Sequence, residues 1–230
     1  DFVLYSKKCS SLFFMFLRLA TNHYRKLFET HGIAALLRWV VAETDAFGRT
    51  LRLQLFQGDT YRHVVRSLKI TFSYCHQLEV YIGVPLLGRF QEVFLEDIRA
   101  LITQHFQDLQ QQVLQEAQAD SFEEQEVTLP VPLFPTADPR QAAGPSQGSV
   151  TVKVSTSCHF LWRALQTEVA LYLLTPQHPL LPLYELGVRR VLETFLAYLH
   201  THVKDKSRTD RQSLLSITNA LFVSQQLLPA

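Results

Sequence analysis

The chain has 230 residues, of which 47% are hydrophobic and 19% are charged, and this composition is typical of a globular protein with a real core rather than of a disordered chain. Its 22 Lys and Arg nearly balance its 21 Asp and Glu, so the formal net charge is +1 and no global field attracts nucleic acid. The three cysteines, which are far apart in the sequence, are not the framework of a small disulfide-rich secreted domain and indicate a reducing, cytoplasmic setting. Because the chain begins with Asp1, we expect an internal fragment of a longer protein.

Apolar residues at helical spacing predict two long helices at the start of the chain. The first helix has an apolar stripe that we expect to be buried: Leu12, Met15, Phe16, Leu19, Ala20 and Leu27. Its LFFMFL run is too short for a membrane span, which needs about 20 residues. The second helix covers IAALLRWVVAETDAFGRTLRLQLF, with Trp39 expected in the core. Gly48 within it predicts a kink or a close helix contact.

A cysteine next to a histidine raises the question of a reactive site in the stretch SLKITFSYCHQLEVYIGVPLLGRF, residues 67–90, whose first part belongs to the third predicted helix. One face of this helix carries Val64, Leu68, Phe72, Cys75 and Leu78, so we expect the thiol to be buried with them. The helical period turns His76 about 100° away from Cys75, so the two side chains diverge. Gly83 and Pro85 then predict a turn.

A fourth helix is predicted to run without interruption from Leu87 to Ala117. The segment 128–154 that follows is rich in proline and glycine, which indicates a flexible linker because proline breaks helices. Its VTVKVST end, residues 150–156, reads as an extended lead-in without a partner. Three further helices are predicted in 155–230. We therefore expect an all-α protein with a helical bundle at 1–127, a linker at 128–154 and a second bundle at 155–230.

The usual sequence signatures of catalysis, cofactor binding and metal binding are missing. The chain contains no GxxxxGK[ST], GxGxxG, GxSxG, HExxH or CxxC motif. His200 and His202 are two residues apart, a spacing that directs them to nearly opposite sides of a helix. Cys158 and His159 repeat the earlier doublet, and Glu96 with Asp97 is expected to be offset by nearby arginines. We predict no catalytic residues, no cofactor and no metal.

Arg62, Arg66 and Lys69 form a cationic stripe at steps of four and three residues along the third helix. Such a stripe is compatible with an ordinary solvated face, with an acidic protein partner and with anionic lipid head groups. These three residues are the candidate partner-binding site.

The order of these features resembles the helical rods of multisubunit vesicle-tethering complexes, the CATCHR family, which includes exocyst, conserved oligomeric Golgi and Golgi-associated retrograde subunits. The resemblance rests on RWVVAETDAFGRTLRLQLF, on RSLKITFSYCHQLEVYIGVPLLGRFQEVFLEDIRALI, on the Pro-rich break and on the final NALFVSQQLLP. It is nearest to the exocyst subunit that carries a PH domain and to the eighth conserved oligomeric Golgi subunit.

The resemblance implies an elongated stack of antiparallel helical bundles that acts as a non-enzymatic scaffold and captures transport vesicles before SNARE-mediated fusion. The implied partners are sister subunits, SNAREs and Rab-, Rho- or Ral-type GTPases, with peripheral association at the Golgi or plasma membrane from the cytoplasmic side and no nucleic acid. Two alternatives stay open: a HEAT-like or other helical adaptor, and an enzyme that uses Cys75 or Cys158 as nucleophile.

Overall fold

The computed structural model describes residues 2–28, 31–57, 60–131, 148–171, 179–203 and 210–223. Eight helices and one pair of strands are found in these ranges. In chain order they are α1 (Phe2–Phe28), α2 (Ile33–Leu55), α3 (Tyr61–Ile82), α4 (Leu87–Glu92), α5 (Leu95–Gln118), β1 (Glu124–Val131), β2 (Gly148–Ser155), α6 (Thr156–Leu171), α7 (Leu181–Val203) and α8 (Asp210–Phe222). The predicted all-α class is confirmed, whereas the elongated stack stays a prediction.

The chain divides into two compact units at places other than the Pro-rich segment. The first unit comprises Asp1–His105 with Leu171–Leu183, and the second comprises Phe106–Ala170 with Tyr184–Ala230. The division therefore falls inside α5 and α7 and not at the expected boundaries of 1–127 and 155–230. Proline content marks where helices stop, but it carries no information on which helices pack together.

The first unit is built on α1 and α3, which pack along one another, with α2 and α4 beside them. Aromatic rings fill its centre: Phe90 meets Phe14 at 6.0 Å and Phe94 at 5.3 Å between ring centroids. The predicted inner face of α3 is confirmed, because its five members are all buried. The expected turn after α3 is also present, and Gly83 ends the helix at φ 74° with its N–H bonded to the Glu79 carbonyl.

Gly48 lies where α2 packs against the short helix α4. A Cβ atom added at this position would lie only 2.9 Å from Cε2 of Phe90, a ring that is fully buried. A glycine is therefore required for this approach, and the close helix contact predicted at Gly48 is confirmed.

The uninterrupted helix predicted from Leu87 to Ala117 is wrong, because α4 ends at Glu92 and α5 begins at Leu95. The carboxylate of Glu79 accepts hydrogen bonds from the backbone N–H groups of Leu86 and Leu87, at 2.7 Å each, and so satisfies donors at the start of α4. Phe90 and Phe94 are both buried, four residues apart, on either side of the break. Apolar periodicity thus continues through the turn and conceals it.

The apolar stripe expected to bury α1 faces outward instead. Exposed members of that stripe are Leu12, Met15, Phe16, Leu19 and Leu27. The buried side is largely small and polar, with Ser6, Ser10 and Thr21 fully buried beside Phe14 and Leu17. Ser10 bonds Thr71 of α3 at 2.8 Å between their hydroxyl oxygens. Small side chains let two helices approach closely, so proximity to α3 and not hydropathy determines which side of α1 is buried.

Part of the expected linker forms an antiparallel hairpin, so the prediction that VTVKVST has no partner is wrong. The register runs from Glu124 opposite Ser155 to Val131 opposite Gly148. Residues 132–147, the middle of the expected linker, lie outside the described residues. Pro130 and the two glutamates of the strand, Glu124 and Glu126, conceal β1 in the sequence, because these residues are rare in strands.

In the second unit, a buried polar cluster joins the end of β2 to α6 and α8. Ser155 precedes α6, and its hydroxyl accepts a hydrogen bond from the N–H of Cys158 at 3.4 Å, as in a helix N-cap. Asn219 of α8 accepts from the Ser155 N–H at 3.0 Å and donates to the Ser155 hydroxyl at 2.7 Å. Ser157 donates to the Asp120 carboxylate. The cluster fixes the register of α8 against β2.

Candidate interaction surfaces

The cationic stripe lies on the outward side of α3, opposite the buried face that contains Leu68. Arg62 and Arg66 are exposed, and Lys69 is partly buried. Neither arginine forms an ion pair with a carboxylate in the part of the chain that the structure describes. Two guanidinium groups are therefore available to an anionic partner, one helical turn apart.

Both Cys-His doublets are packing features, and their thiols are not activated. Burial, with the charge of Glu79 as a second cause, raises the pKa of the Cys75 thiol to about 12. Burial likewise raises the pKa of Cys158, with Asp120 adding to the effect. His76 points away from Cys75 and its Nδ1 lies 3.7 Å from Oε1 of Glu79. Because the thiolate is the reactive form, neither cysteine is an efficient nucleophile near neutral pH.

Two carboxylate–arginine pairs of the first unit join α2 to neighbouring helices, whereas the sequence predicted only that nearby arginines offset Glu96 and Asp97. Asp97 of α5 holds Arg52 of α2, whose Nη2 lies 3.1 Å from Oδ1. Arg89 of α4 holds Asp45 of α2 through Nη2 to Oδ2 at 2.6 Å, and Asp45 is buried. These carboxylates are accordingly used to dock α2.

The described residues contain no group of three or more potential ligands that could hold a metal ion. His200 is exposed on α7, whereas the side chain of His202 lies outside the described set. Trp39 differs from the expectation of core packing. Trp39 is 37% exposed at the edge of α1, where its ring meets Phe16 at 6.4 Å. Trp162 is partly buried against Phe222 at 5.8 Å.

The outer face of α1 is an apolar surface with positive charge. Leu12, Met15, Phe16 and Leu19 are spaced at i, i+3, i+4 and i+7, so they lie on one side of the helix, opposite the serines that pack on α3. They were recognised in the sequence as a stripe, but were assigned to the core. The signal that could have corrected this is the pair of small-residue spacings, Ser6 to Ser10 and Ser67 to Thr71, which are typical of closely packed helices.

A second exposed apolar face lies on α8. Leu214, Ile217 and Leu221 are exposed at i, i+3 and i+7, opposite Leu215 and Phe222, which are buried. The sequence predicted a helix in this region without identifying its two apolar faces. Asn219 is the missed signal, because its buried amide marks the inner side.

None of the helices within the described ranges has the length and hydropathy that a bilayer span requires. No family model, no curated protein and no solved structure matches the chain.

Proposed function

We propose that the chain is a non-enzymatic scaffold subunit of a vesicle-tethering complex, which assembles with sister subunits to capture transport vesicles before SNARE-mediated fusion. The observation that carries the proposal is the exposed apolar face of α8, where Leu214 is 66% and Ile217 44% exposed. SNAREs and small GTPases of the Rab, Rho or Ral type are its further partners. The protein acts at the cytoplasmic side of the Golgi or plasma membrane, as a peripheral component.

Helix pairing is the physical basis for this role. A surface helix usually has apolar residues on its buried side and polar residues on the side that faces solvent, whereas α8 has apolar residues on both sides. A partner helix laid along the outer side would remove Leu214 and Ile217 from water, with each side chain contributing roughly 1.5–3 kcal/mol if fully buried. This supports assembly with other helical subunits.

The alternatives receive less support. An enzyme with a cysteine nucleophile would need a thiolate, and the raised pKa values of Cys75 and Cys158 oppose this. A HEAT-like adaptor would consist of uniform helix pairs, whereas the described helices range from 6 to 27 residues and a hairpin interrupts them.

Co-purification from cells tests the proposal. We expect the tagged chain to recover identifiable tethering subunits, SNAREs or small GTPases by mass spectrometry. The variant Leu214→Gln/Ile217→Gln should lose sister subunits, because glutamine keeps helix propensity while removing apolar contact. Val80→Gln, at a position 70% exposed on α3, is the matched control and should retain them. Recovery of none of these partner classes by the unaltered chain would contradict the proposal.

A further inference from the structure

The outer face of α1 combines exposed apolar side chains with positive charge. The proposed assembly with sister subunits does not involve this face. Its four central side chains are large and apolar, and they remain 49–61% exposed: Leu12, Met15, Phe16 and Leu19. They occupy two turns on one side of the helix, about 10 Å along its axis. The other side of α1 is already buried against α3.

All of the charged residues of α1 are basic: Lys7, Lys8, Arg18, Arg25 and Lys26. The whole chain has a formal net charge of only +1, so this helix concentrates positive charge that is balanced elsewhere. Lys8 lies one turn before Leu12 and Lys26 lies two turns after Leu19, on the same side of the helix as the apolar residues. Each end of the apolar face thus has an exposed ammonium group.

Trp39 of α2 extends this face. Its indole meets the edge of the Phe16 ring at 6.4 Å and is itself partly exposed. Indole rings favour the boundary between hydrocarbon and head groups, because they combine an apolar body with one N–H donor.

We propose that the outer face of α1 binds the surface of an anionic lipid bilayer, with the helix lying parallel to the membrane plane. Leu12, Met15, Phe16 and Leu19 enter the boundary of the acyl chains, while Lys8 and Lys26 extend their stems along the same face and place their ammonium groups among the lipid phosphates. Trp39 lies at the level of the head groups.

Charge complementarity favours an anionic bilayer over a second copy of the chain or a protein partner on this face. A second copy of the chain laid on this face would bring Lys8 and Lys26 against the same two cations, with no acidic residue in α1 to offset them. Lys8 and Lys26 are separated by about 27 Å along the helix, so a protein partner would need carboxylates at both ends of an apolar groove. An anionic bilayer presents phosphate and carboxylate groups everywhere on its surface and deforms around a projecting ridge. This inference goes beyond the proposed function, because it requires no sister subunit.

Flotation of the purified chain with vesicles tests the proposal. The vesicles are phosphatidylcholine alone or phosphatidylcholine with phosphatidylserine. We expect binding to the anionic vesicles, weaker binding at high salt, and little binding to the neutral ones. Met15→Gln/Phe16→Gln should lower the partition coefficient by about tenfold or more, because two apolar side chains no longer enter the bilayer. Lys8→Gln/Lys26→Gln should also lower it, by roughly thirtyfold at low salt.

Two matched control variants test whether vesicle binding depends on the outer face of α1 and not on exposed residues elsewhere. Leu214→Gln/Ile217→Gln removes two exposed apolar side chains from α8, and Arg189→Gln/Arg190→Gln removes two exposed cations from α7. Both controls should bind anionic vesicles as the unaltered chain does. Circular dichroism melting confirms that each variant folds, which is expected because every altered side chain is exposed.

A fluorescence measurement reports on the same contact without altering α1. In Trp162→Phe, Trp39 is the remaining tryptophan, and its emission should shift to shorter wavelength on addition of anionic vesicles. Several results would overturn the proposal: no binding to anionic vesicles, equal binding to neutral vesicles, equal loss in the two controls, or no shift of Trp39. Self-association that Met15→Gln/Phe16→Gln abolishes would assign the face to a dimer, and loss of a purified protein partner with vesicle binding intact would assign it to that partner.

Discussion

The three cysteine thiols differ in how far each can reach solvent, and this determines their chemistry. Cys75 and Cys158 are fully buried in α3 and α6, whereas Cys9 of α1 is only partly buried. A buried thiol resists ionisation because the thiolate loses its hydration. The side chains next to them in sequence, His76 and His159, leave the helix in other directions and provide no base.

Thiol labelling at pH 8 should therefore distinguish these residues. We expect a disulfide reagent to modify Cys9 in the native protein and to reach Cys75 and Cys158 only after unfolding. Cys9→Ser is the control, and its native form should remain almost unlabelled. Rapid labelling of native Cys9→Ser would reveal an accessible, activated thiol and would revive the enzyme alternative.

Asn219 contributes to stability through hydrogen bonds that only a buried amide can make here. Its two bonds to Ser155 are the link between α8 and β2. Asn219→Ala leaves the Ser155 N–H without this acceptor, so we expect the free energy of unfolding to fall by about 1–3 kcal/mol. Thr218→Ala, on the neighbouring and less buried position, should change it by less than about 0.5 kcal/mol. Equal effects in chemical denaturation would show that the amide has no special role.

At the scale of elements, Gly48 determines how closely α2 approaches α4. Replacing a helical glycine by alanine normally stabilises a helix, by up to about 1 kcal/mol. Gly48→Ala should instead destabilise the fold by about 1–3 kcal/mol, because the new methyl group meets the immobile ring of Phe90. Gly88→Ala in α4 is the matched control, since an added Cβ there meets nothing within 4 Å. Thermal melts in which both variants are stabilised would contradict this account.

The β-hairpin is attached to α8 by an acidic side chain that titrates at low pH. The Glu124 carboxylate bonds Nη2 of Arg211 at 2.8 Å and Nζ of Lys153 at 3.1 Å, and these two cations hold its pKa below the usual 4.5. A lowered pKa in the folded state means that the carboxylate stabilises the fold above about pH 4.5 and loses this effect as the pH falls through the lowered value.

Glu124→Gln should remove this dependence. We expect the unaltered chain to melt at a higher temperature than the variant at pH 6, and the difference to shrink at pH 3 and in high salt. Glu123→Gln, on the adjacent residue outside the strand, is the control for loss of one charge. A difference that persists unchanged at pH 3 would exclude the ionised carboxylate as its cause.

The elements predicted correctly from the sequence are those in which the more apolar side of the helix is also the side that packs against other helices. In α3 the large apolar residues face the core, so Val64 through Leu78 identified the buried side. In α1 the two criteria disagree, because Ser6 and Ser10 allow the closer approach and the larger apolar residues are left outside. Pairing of β1 with β2 could not be predicted either, since it depends on contacts between segments separated by the Pro-rich stretch.

For the whole molecule, the same disagreement explains why the candidate surfaces were only partly predictable. The charged stripe of α3 could be predicted because charged side chains are normally exposed to solvent. Arg62 and Arg66 are exposed in the structure. The apolar face of α1 was assigned to the core and that of α8 was not identified, because exposure of an apolar side chain is decided by the other helices and not by its own sequence. Exposed apolar faces of this kind are typical of surfaces that bind another protein or a membrane.

Charge reversal on α3 tests whether the stripe binds an acidic partner. In Arg62→Glu/Arg66→Glu, recovery of the sister subunits, SNAREs or GTPases that bind there should fall sharply, because two attractive contacts become repulsive. Stability should be almost unchanged, since both side chains are exposed. Lys69 is left in place because it is partly buried.

Arg38→Glu/Arg49→Glu on α2 changes the net charge by the same amount at two other exposed positions, so it separates a local contact from a general effect of charge. Pull-down with quantitative mass spectrometry and melting of both variants provide the measurement. If the two variants recover partners equally, the stripe is an ordinary solvated face; if only the α3 variant loses them, Arg62 and Arg66 lie in the binding site.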